Sequence, residues 1–154
     1  MPRGYFGIGI YHNKFGANLG TLWRSAYQLG ADFIFTVGAR YEEQASDTTK
    51  AWRHIPLYRY VDWRDFREHI PRACELVGVE MEGIDIGHFL HPERTIYLLG
   101  AEDQGLPDAI KRECRIILSL PSIRRDSYNV AVAGAIVMFD RMSKCGANSQ
   151  SSSE

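Results

Sequence analysis

The stretch Leu98-Leu-Gly-Ala-Glu-Asp-Gln-Gly-Leu-Pro107 ends an apolar, strand-like run and leads into a helix-like one. Gly100 directly follows the strand, where a glycine allows a ligand to approach the backbone closely. Pro107 suits the first turn of a helix. In an open α/β sheet, loops of this kind lie at the carboxyl ends of the strands, where ligands bind. The stretch therefore predicts an α/β domain with a site at this loop, to which Glu102 contributes a polar group.

Two further stretches, Asn18-Leu-Gly-Thr-Leu-Trp-Arg24 and Ser127-Tyr-Asn-Val-Ala-Val-Ala-Gly134, also sit where a strand-like run gives way to a helix-like one. Asn18, Ser127 or Asn129 could simply cap the helices that follow them, and Arg24 could be an ordinary surface arginine. The same side chains at the entrance of a helix are also held rigidly, as a catalytic site requires. For each residue alone, both interpretations stay open.

Strand-like and helix-like runs alternate along the chain, which predicts a mostly parallel sheet with helices on both faces. Leu22, Ala26 and Leu29 form one apolar stripe, and Gly30 supplies a C-terminal stop. The predicted strands are Tyr5–Tyr11, Phe33–Val37, Leu57–Val61, Cys74–Val79, Thr95–Leu99 and Ile116–Leu120, and the predicted helices are Leu19–Leu29, Trp63–Ile70, Pro107–Glu113 and Asn129–Met142.

The last predicted helix has almost no polar side, since nine of the ten residues from Val130 to Phe139 are Val, Ala, Ile, Met or Phe. A helix that is apolar all round is buried on all sides. In a domain this small, we expect a partner chain to provide part of that cover. The same run is too short to span a bilayer.

The chain has 154 residues, which fits one domain with one core. Its 18 Lys and Arg against 19 Asp and Glu argue against a diffuse polycationic coat for nucleic acid, though not against a local basic patch. Three widely spaced cysteines and an N-terminus without an apolar segment predict a cytoplasmic protein. We expect a polar, mobile excursion from Ala39 to Arg53 and a disordered tail over 143–154, which leaves a domain of residues 1–142.

The sequence gives little support to other kinds of functional site. Gly7-Ile-Gly9 lies inside a strand and lacks the third glycine of a dinucleotide fingerprint, and the spacing from Gly16 to Gly20 does not fit a P-loop. His88 and His91 lack a third ligand, so we interpret them as surface or structural histidines and expect no metal site. A GxSxG elbow of serine hydrolases is absent from the sequence.

Taken together and in this order, the three stretches resemble the motifs of the SpoU (TrmH-like) branch of the SPOUT RNA methyltransferases. Asn18, Gly20 and Arg24 match Asn-x-Gly-x-x-x-Arg, and the stretch from Gly100 to Leu106 matches Gly-x-Glu-x-x-Gly-Leu. Ser127-Tyr-Asn129 resembles Ser-Leu-Asn, with Tyr128 as a conservative departure. The resemblance covers nearly all of the chain up to about Met142.

The resemblance implies a single-domain α/β fold, a mostly parallel sheet with helices on both faces, which ends in a C-terminal deep trefoil knot. It implies a homodimer, S-adenosyl-L-methionine as cofactor and transfer of its methyl group to a ribose 2′-hydroxyl of RNA, with tRNA weakly favoured over rRNA. By resemblance, Val79, Gly100, Leu120 and Ser127 bind the cofactor; Asn18, Arg24 and Glu102 bind the substrate; and Arg24, Ser127 and Asn129 are catalytic.

Two other functions are considered beside this one. The first is a non-catalytic, RNA-binding member of the same fold, against which the intact Asn18, Arg24, Glu102, Ser127 and Asn129 weigh. The second is a flavodoxin-like binder of a small molecule, which visible absorbance without affinity for S-adenosylmethionine would favour.

Overall fold

The structure is a computed structural model that describes residues 4–40 and 51–150. The strands are β1 (Tyr5–Tyr11), β2 (Phe33–Val37), β3 (Leu57–Tyr60), β4 (Glu75–Glu80), β5 (Ile84–Asp85), β6 (Arg94–Gly100) and β7 (Ile116–Ser119). The helices are α1 (Gly16–Leu29), α2 (Trp63–His69), α3 (Asp108–Glu113) and α4 (Val130–Gln150), with short 3₁₀ turns at Ala51–His54 and Ile86–His88.

All seven strands form one sheet in the order β3-β2-β1-β6-β4-β7-β5, and every neighbouring pair is parallel. The predicted parallel α/β sheet is confirmed. The order differs from the 2-1-3-4-5 order of flavodoxin-like folds, so the flavodoxin-like alternative is wrong. The sequence analysis missed β5, because a two-residue strand leaves no periodic pattern.

Helices cover both faces of the sheet, as predicted. On one face, alternate strand residues such as Ile8 and Leu99 pack with Leu22 of α1 and Val137 of α4. On the other face, aromatic and aliphatic side chains of the sheet pack against Phe66 of α2 and Ile110 of α3. The core is thus two layers, one on each side of the sheet, as a central parallel sheet requires.

The two glycines of Gly7-Ile-Gly9 have a packing role. A Cβ atom at Gly7 would overlap the ring of Phe33, and one at Gly9 would overlap the ring of Phe35. Both rings belong to β2, which pairs with β1 in register. The glycines therefore make room for aromatic side chains of the core, and the rejection of a nucleotide fingerprint at this place agrees with the structure.

Helix α1 begins three residues before its predicted start. Phe15 is its N-cap residue and has no side-chain capping bond. Asn18 consequently lies inside the first turn, and the capping explanation for Asn18 does not apply. At the other end, Gly30 adopts a left-handed conformation (φ 88°) and donates its backbone N–H to the carbonyl oxygen of Ala26, which confirms the predicted C-terminal stop.

Helix α4 is apolar, as predicted, but the described part of the chain does not cover it on all sides. Val130, Val137 and Met138 are buried. In contrast, Val132 and Phe139 are 47% and 57% exposed on the side turned away from the sheet. An open groove of about 360 Å³ runs along this side between α1 and α4, so residues 4–40 and 51–150 leave an apolar face uncovered.

The predicted disorder of 143–154 is wrong over residues 143–150, which belong to α4. Lys144 fixes this part of the helix: its Nζ donates to the carbonyl oxygens of Ile86 and Phe89 at 2.6 and 2.8 Å and lies 2.9 Å from Asp140 Oδ2. The composition of the tail did not reveal these contacts because they are long-range. Residues 151–154, and most of the predicted excursion (41–50), lie outside the described residues.

His91 ties the same end of α4 to the sheet. Its side chain is 1% exposed, and its Nε2 lies 2.6 Å from Asp140 Oδ2 while its Nδ1 lies 2.6 Å from the hydroxyl of Tyr97. A neutral ring that donates from Nε2 and accepts at Nδ1 satisfies both bonds. His91 is thus a structural histidine, as predicted.

We expect the free energy of unfolding to fall as the pH is lowered from about 7.5 to about 5. Burial lowers the pKa of His91, and Arg141 and Lys144 add to that effect, while the bond to Asp140 opposes it. A histidine whose pKa is lower in the folded state stabilises the fold above its unfolded pKa of about 6.5. That contribution is lost as the pH falls through the lower, folded pKa.

Thermal melts at several pH values measure this dependence. The variant His91→Gln is expected to show a smaller drop in Tm towards acid, and His88→Gln, on an exposed histidine, serves as the control. An identical pH slope in His91→Gln and the wild type would contradict the assignment to His91.

Candidate functional site

A cavity of about 710 Å³ opens at the carboxyl ends of β6, β4 and β7, three neighbouring strands of the sheet. Its walls include Val79 at the end of β4, Gly100 at the end of β6 and Leu120 just after β7. The loop before α4 adds Ser127. All four residues that the sequence analysis assigned to cofactor binding therefore line one cavity, because parallel strands bring their carboxyl ends to the same edge.

The loop that follows β6 folds back tightly on the strand. A Cβ atom at Gly100 would lie 2.6 Å from the carbonyl carbon of Gly105 and 2.8 Å from Leu106 N. The Gly105 N–H donates to the carbonyl oxygen of Ala101 at 2.7 Å. We predicted that Gly100 admits a ligand to the backbone; in the structure, the close neighbour of Gly100 is its own loop, which forms a wall of the cavity.

Asn18, Glu102 and Asn129 form one hydrogen-bonded cluster beside this cavity, although 111 residues separate the first from the last. Asn129 Nδ2 donates to Glu102 Oε1 at 2.7 Å and to Asn18 Oδ1 at 3.0 Å. Asn18 Nδ2 lies 3.4 Å from the same carboxylate oxygen. The three polar stretches of the sequence thus contribute one side chain each to the same place.

Asn129 both caps α4 and belongs to the cluster. Its Oδ1 accepts the N–H groups of Ala131 and Val132 at 3.0 and 3.2 Å. Since the oxygen faces the helix, the amide nitrogen must face Asn18 and Glu102. Glu102 Oε1 also accepts the N–H of Val130 at 3.2 Å, and a carboxylate at the positive end of a helix is stabilised there. Capping therefore orients the cluster.

Arg24 lies outside this cluster. Its guanidinium stacks over the ring of Trp52, with 5.0 Å from Cζ to the ring centroid, and its side chain is exposed. It does not line the cavity of about 710 Å³. Arg24 follows Asn18 by six residues in α1. Since successive helical residues are about 100° apart, the two side chains leave the helix about 240° apart around its axis. The structure consequently brings together every predicted site residue except Arg24.

Ser127 lies in the exposed loop between β7 and α4. Its N–H donates to Asp126 Oδ1 at 2.9 Å, and the Tyr128 hydroxyl donates to the carbonyl oxygen of Pro121 at 2.5 Å. These bonds hold the loop against the mouth of the cavity. Ser127 itself does not cap α4, because Asn129 takes that position.

Sequence reasoning missed Glu80. This glutamate ends β4, lines the cavity and accepts the N–H of Leu106. A Cβ atom at Gly105 would lie 2.8 Å from Glu80 Oε1, so the glycine allows the carboxylate to reach the loop. A charged residue directly after the apolar run from Leu76 to Val79 was the available signal, and it belongs to none of the three motifs.

A second missed group secures the loop between β6 and α3. Arg40 binds Asp103 through two N–O contacts of 2.8 and 3.1 Å and donates to the carbonyl oxygen of His12. Lys14 Nζ lies 3.8 Å from the same carboxylate. The bonds from Arg40 lower the pKa of Asp103 below its ordinary value. Arg40 and Asp103 lie 63 residues apart in the sequence, so their spacing could not indicate the ion pair.

Within 4–40 and 51–150, no three or more His, Cys, Asp and Glu side chains are grouped so that they could hold a metal ion. Over that part of the chain, no helix is long and apolar enough to cross a membrane. The three cysteines are unpaired, and burial raises the pKa of the Cys114 thiol to about 11.

Solved structures share this architecture. One, described as giving structural insights into the 2-OH methylation of C/U34 on tRNA, superposes with a TM-score of 0.82 at 20% identity and covers 95% of this chain and 99% of its own. The AdoMet-bound rRNA methyltransferase from Sinorhizobium meliloti gives 0.77 at 26% identity, over 92% of this chain and 57% of its own. AviRb from Streptomyces viridochromogenes, solved with AdoMet, gives 0.77 at 24% identity, over 94% and 59%.

Relatives by sequence include the tRNA (cytidine(34)-2′-O)-methyltransferase of Ancylobacter novellus, 28% identical over 90% of this chain and 92% of the relative. The 23S rRNA (uridine(2479)-2′-O)-methyltransferase of Streptomyces viridochromogenes is 26% identical over 80% of this chain. The chain spans 47% of that relative and 57% of an Archaeoglobus fulgidus tRNA/rRNA methyltransferase of uncharacterised function. The family model of the SpoU rRNA methylases matches residues 8–139. With this match over most of its length, the chain belongs to the SpoU rRNA methylase family.

Proposed function

We propose that the protein is an S-adenosylmethionine-dependent methyltransferase that methylates a ribose 2′-hydroxyl of RNA. The observation that carries the proposal is the position of the Asn18–Glu102–Asn129 cluster, next to a large cavity at the strand ends. One part of this edge can hold a cofactor and the adjoining part can hold a substrate hydroxyl. The 2′-O-methyltransferase names of two relatives support the same reaction.

The cavity fits S-adenosylmethionine in size and in chemistry. Its volume of about 710 Å³ lies within the usual range of small-molecule sites, about 300–1,000 Å³. Val79, Leu99 and Leu120 offer apolar walls, while the carboxylates of Glu80 and Glu102 suit a cation. When bound, the cofactor supplies a methyl group that its sulfonium has already activated for displacement.

The protein must align the ribose oxygen with the methyl carbon, exclude water and accept or share the hydroxyl proton. We assign Asn18 and Glu102 to the RNA backbone and ribose, and Ser127 and Asn129 to the orientation of ribose or cofactor. We assign Arg24 to the adjacent phosphate and to the oxygen as it becomes negative. A guanidinium with a pKa above about 12 is a poor base but a good electrostatic group. This role requires Arg24 to leave Trp52.

Methyl transfer from S-adenosylmethionine labelled in its methyl group tests the proposal. The purified chain is incubated separately with unmodified tRNA transcripts and with a 23S rRNA transcript, and the nucleosides are identified by mass spectrometry. We expect the label on a ribose, at a linkage that resists alkaline cleavage because its 2′-oxygen can no longer attack. A methyl group on a base would contradict the proposal.

We propose tRNA rather than rRNA as the substrate. The tRNA-directed relative is 28% identical over 90% of this chain, whereas the 23S rRNA-directed relative is 26% identical over 80% of it. We also propose a cytoplasmic location. The three free cysteines support it, because disulfides are rare in that compartment.

A non-catalytic, RNA-binding role is the second candidate, and the stacking of Arg24 on Trp52 favours it. The labelling assay separates the two candidates. A non-catalytic protein binds the RNA but transfers no label in the assay above at any enzyme concentration.

We propose that the chain is knotted, and its strand order supports the proposal. β5 follows β4 directly in sequence, yet β7 lies between them in the sheet. The chain after β7 then returns to α1, and Lys144 bonds to the turn that follows β5. Such connections are rare exceptions among protein folds.

We propose that the exposed side of α4 is the contact surface of a homodimer. Light scattering is expected to give twice the chain mass of 17.5 kDa at micromolar concentration. Ile136 lines the exposed groove, and Ile136→Glu is expected to yield a monomer, because an unpaired buried charge costs about 3–5 kcal/mol. Ile123→Glu, at a fully exposed loop position, is the control. A wild type that runs as a stable monomer would refute the dimer.

A further inference from the structure

Phe15 is an exposed aromatic residue at the edge of the candidate site. Its side chain is 54% exposed, whereas Trp23 of the adjoining helix α1 is buried in the core. It lines a small cavity of about 80 Å³ together with Asn18 and Glu102, two members of the cluster. An apolar ring in water beside a polar site needs an explanation other than core packing.

The backbone holds Phe15 firmly. Asn13, whose side chain is buried, donates Nδ2 to the Phe15 carbonyl oxygen at 3.0 Å. The N–H of Asn18 donates to the same oxygen at 3.1 Å. Phe15 is also the N-cap of α1, in an extended conformation (φ −122°, ψ 126°) without a side-chain cap. The backbone of Phe15 is therefore held in place one helical turn from Asn18, which keeps the ring within reach of the cluster.

A cationic side chain lies beside the ring. Lys14 Nζ lies 5.5 Å from the centre of the Phe15 ring. The neighbouring Asp103 is already bound by both nitrogens of the Arg40 fork. Lys14 and Arg40 match in number the two carboxylates at this edge, Asp103 and Glu102. Because Arg40 holds Asp103, Lys14, which is 51% exposed and 3.8 Å from that carboxylate, is the cation that can turn to a phosphate. A flat apolar face beside a cation matches the two parts of a nucleotide.

We propose that Phe15 is a stacking platform for an unpaired nucleobase of the RNA, with Lys14 at the adjoining phosphate. The proposal rests on the proposed function, and it adds that the RNA is single-stranded where it meets the protein. Aromatic side chains stack on unpaired bases of any sequence, whereas bases inside a duplex offer no free face. Base and ribose are joined within a nucleotide, so a ring beside Asn18 can hold the base while the cluster holds the ribose.

The test compares Phe15→Ala, Phe15→Trp and wild type with the transcript that the wild type methylates. Phe15→Ala is expected to raise the RNA concentration for half-maximal rate about 5- to 150-fold, the equivalent of losing one stacked base. Affinity for S-adenosylmethionine should not change, because Phe15 does not line the larger cavity. Phe15→Trp is expected to restore RNA affinity. Tyr27→Ala, on an exposed aromatic farther along α1, is the matched control.

Fluorescence gives a second readout. The tryptophan fluorescence of Phe15→Trp, after subtraction of the wild-type fluorescence, should be quenched by the transcript. The same RNA annealed to its complement should not quench it. The stacking platform would be wrong if no quenching occurs, or if Phe15→Ala and the wild type reach half-maximal rate at the same RNA concentration. Either result would leave the proposed function standing. If Phe15→Ala instead turns a dimer into a monomer, the ring is a subunit contact and the platform is wrong. A wild type that methylates no RNA would overturn the proposed function itself.

Discussion

The Arg24→Ala variant is expected to bind S-adenosylmethionine as tightly as the wild type and to transfer methyl groups about 10²–10³ times more slowly. Arg24 lies outside the cavity that we assign to the cofactor, so its loss should leave that binding intact. Its guanidinium is assigned to phosphate and to the developing negative charge, and a missing transition-state contact lowers the rate. Calorimetry and single-turnover transfer measure the two effects separately.

Two further variants sharpen this prediction. Arg24→Lys should be almost as slow, because a point charge cannot reproduce the planar, forked guanidinium. Arg64→Ala, on a side chain that is 85% exposed in α2, should transfer methyl groups at the wild-type rate. Near-normal turnover of Arg24→Ala would mean that Arg24 only stacks on Trp52, and the assigned mechanism would be wrong.

The Gly100→Val variant is expected to lose measurable S-adenosylmethionine binding. Even a Cβ atom at this position would lie 2.6–2.8 Å from the backbone of Gly105 and Leu106. The loop must move away, which breaks its bond to Glu80 and displaces one wall of the cavity. Overpacking of this kind also lowers the free energy of unfolding by about 1–3 kcal/mol.

Calorimetry at a temperature where the variant is folded separates lost binding from lost stability. Gly87→Ala is the control, since a Cβ atom there would approach only a carboxylate oxygen of Asp85, at 3.0 Å, and Gly87 does not line the cavity. Unchanged cofactor affinity in a folded Gly100→Val protein would place the cofactor elsewhere.

Local patterns predicted most of the fold. Strands β1 and β2 have the predicted bounds, because continuous apolar runs bounded by polar residues mark buried parallel strands. Gly30 ends α1 for a local reason, its left-handed backbone. The start of α1 was misplaced because Phe15 caps without a side-chain bond, so the sequence there carries no capping residue.

The site was predicted less completely. The motifs located Asn18, Glu102 and Asn129, and parallel strands then required them to meet at one edge. The hydrogen bonds of the cluster join residues that lie 27 to 111 positions apart in the sequence. These contacts follow from packing rather than from local sequence. The same limit hid Glu80 and the position of Arg24, whose neighbour Trp52 comes from a distant turn.

The place of β7 between β4 and β5 has a consequence for synthesis on the ribosome. While the first hundred or so residues emerge, the segment destined to lie between those two strands has not yet been made. Strand β4 then keeps an unpaired edge, and unpaired edges recruit other chains. Completion of the sheet must wait for residues 116–119, so protection of the nascent chain against aggregation depends on this late segment.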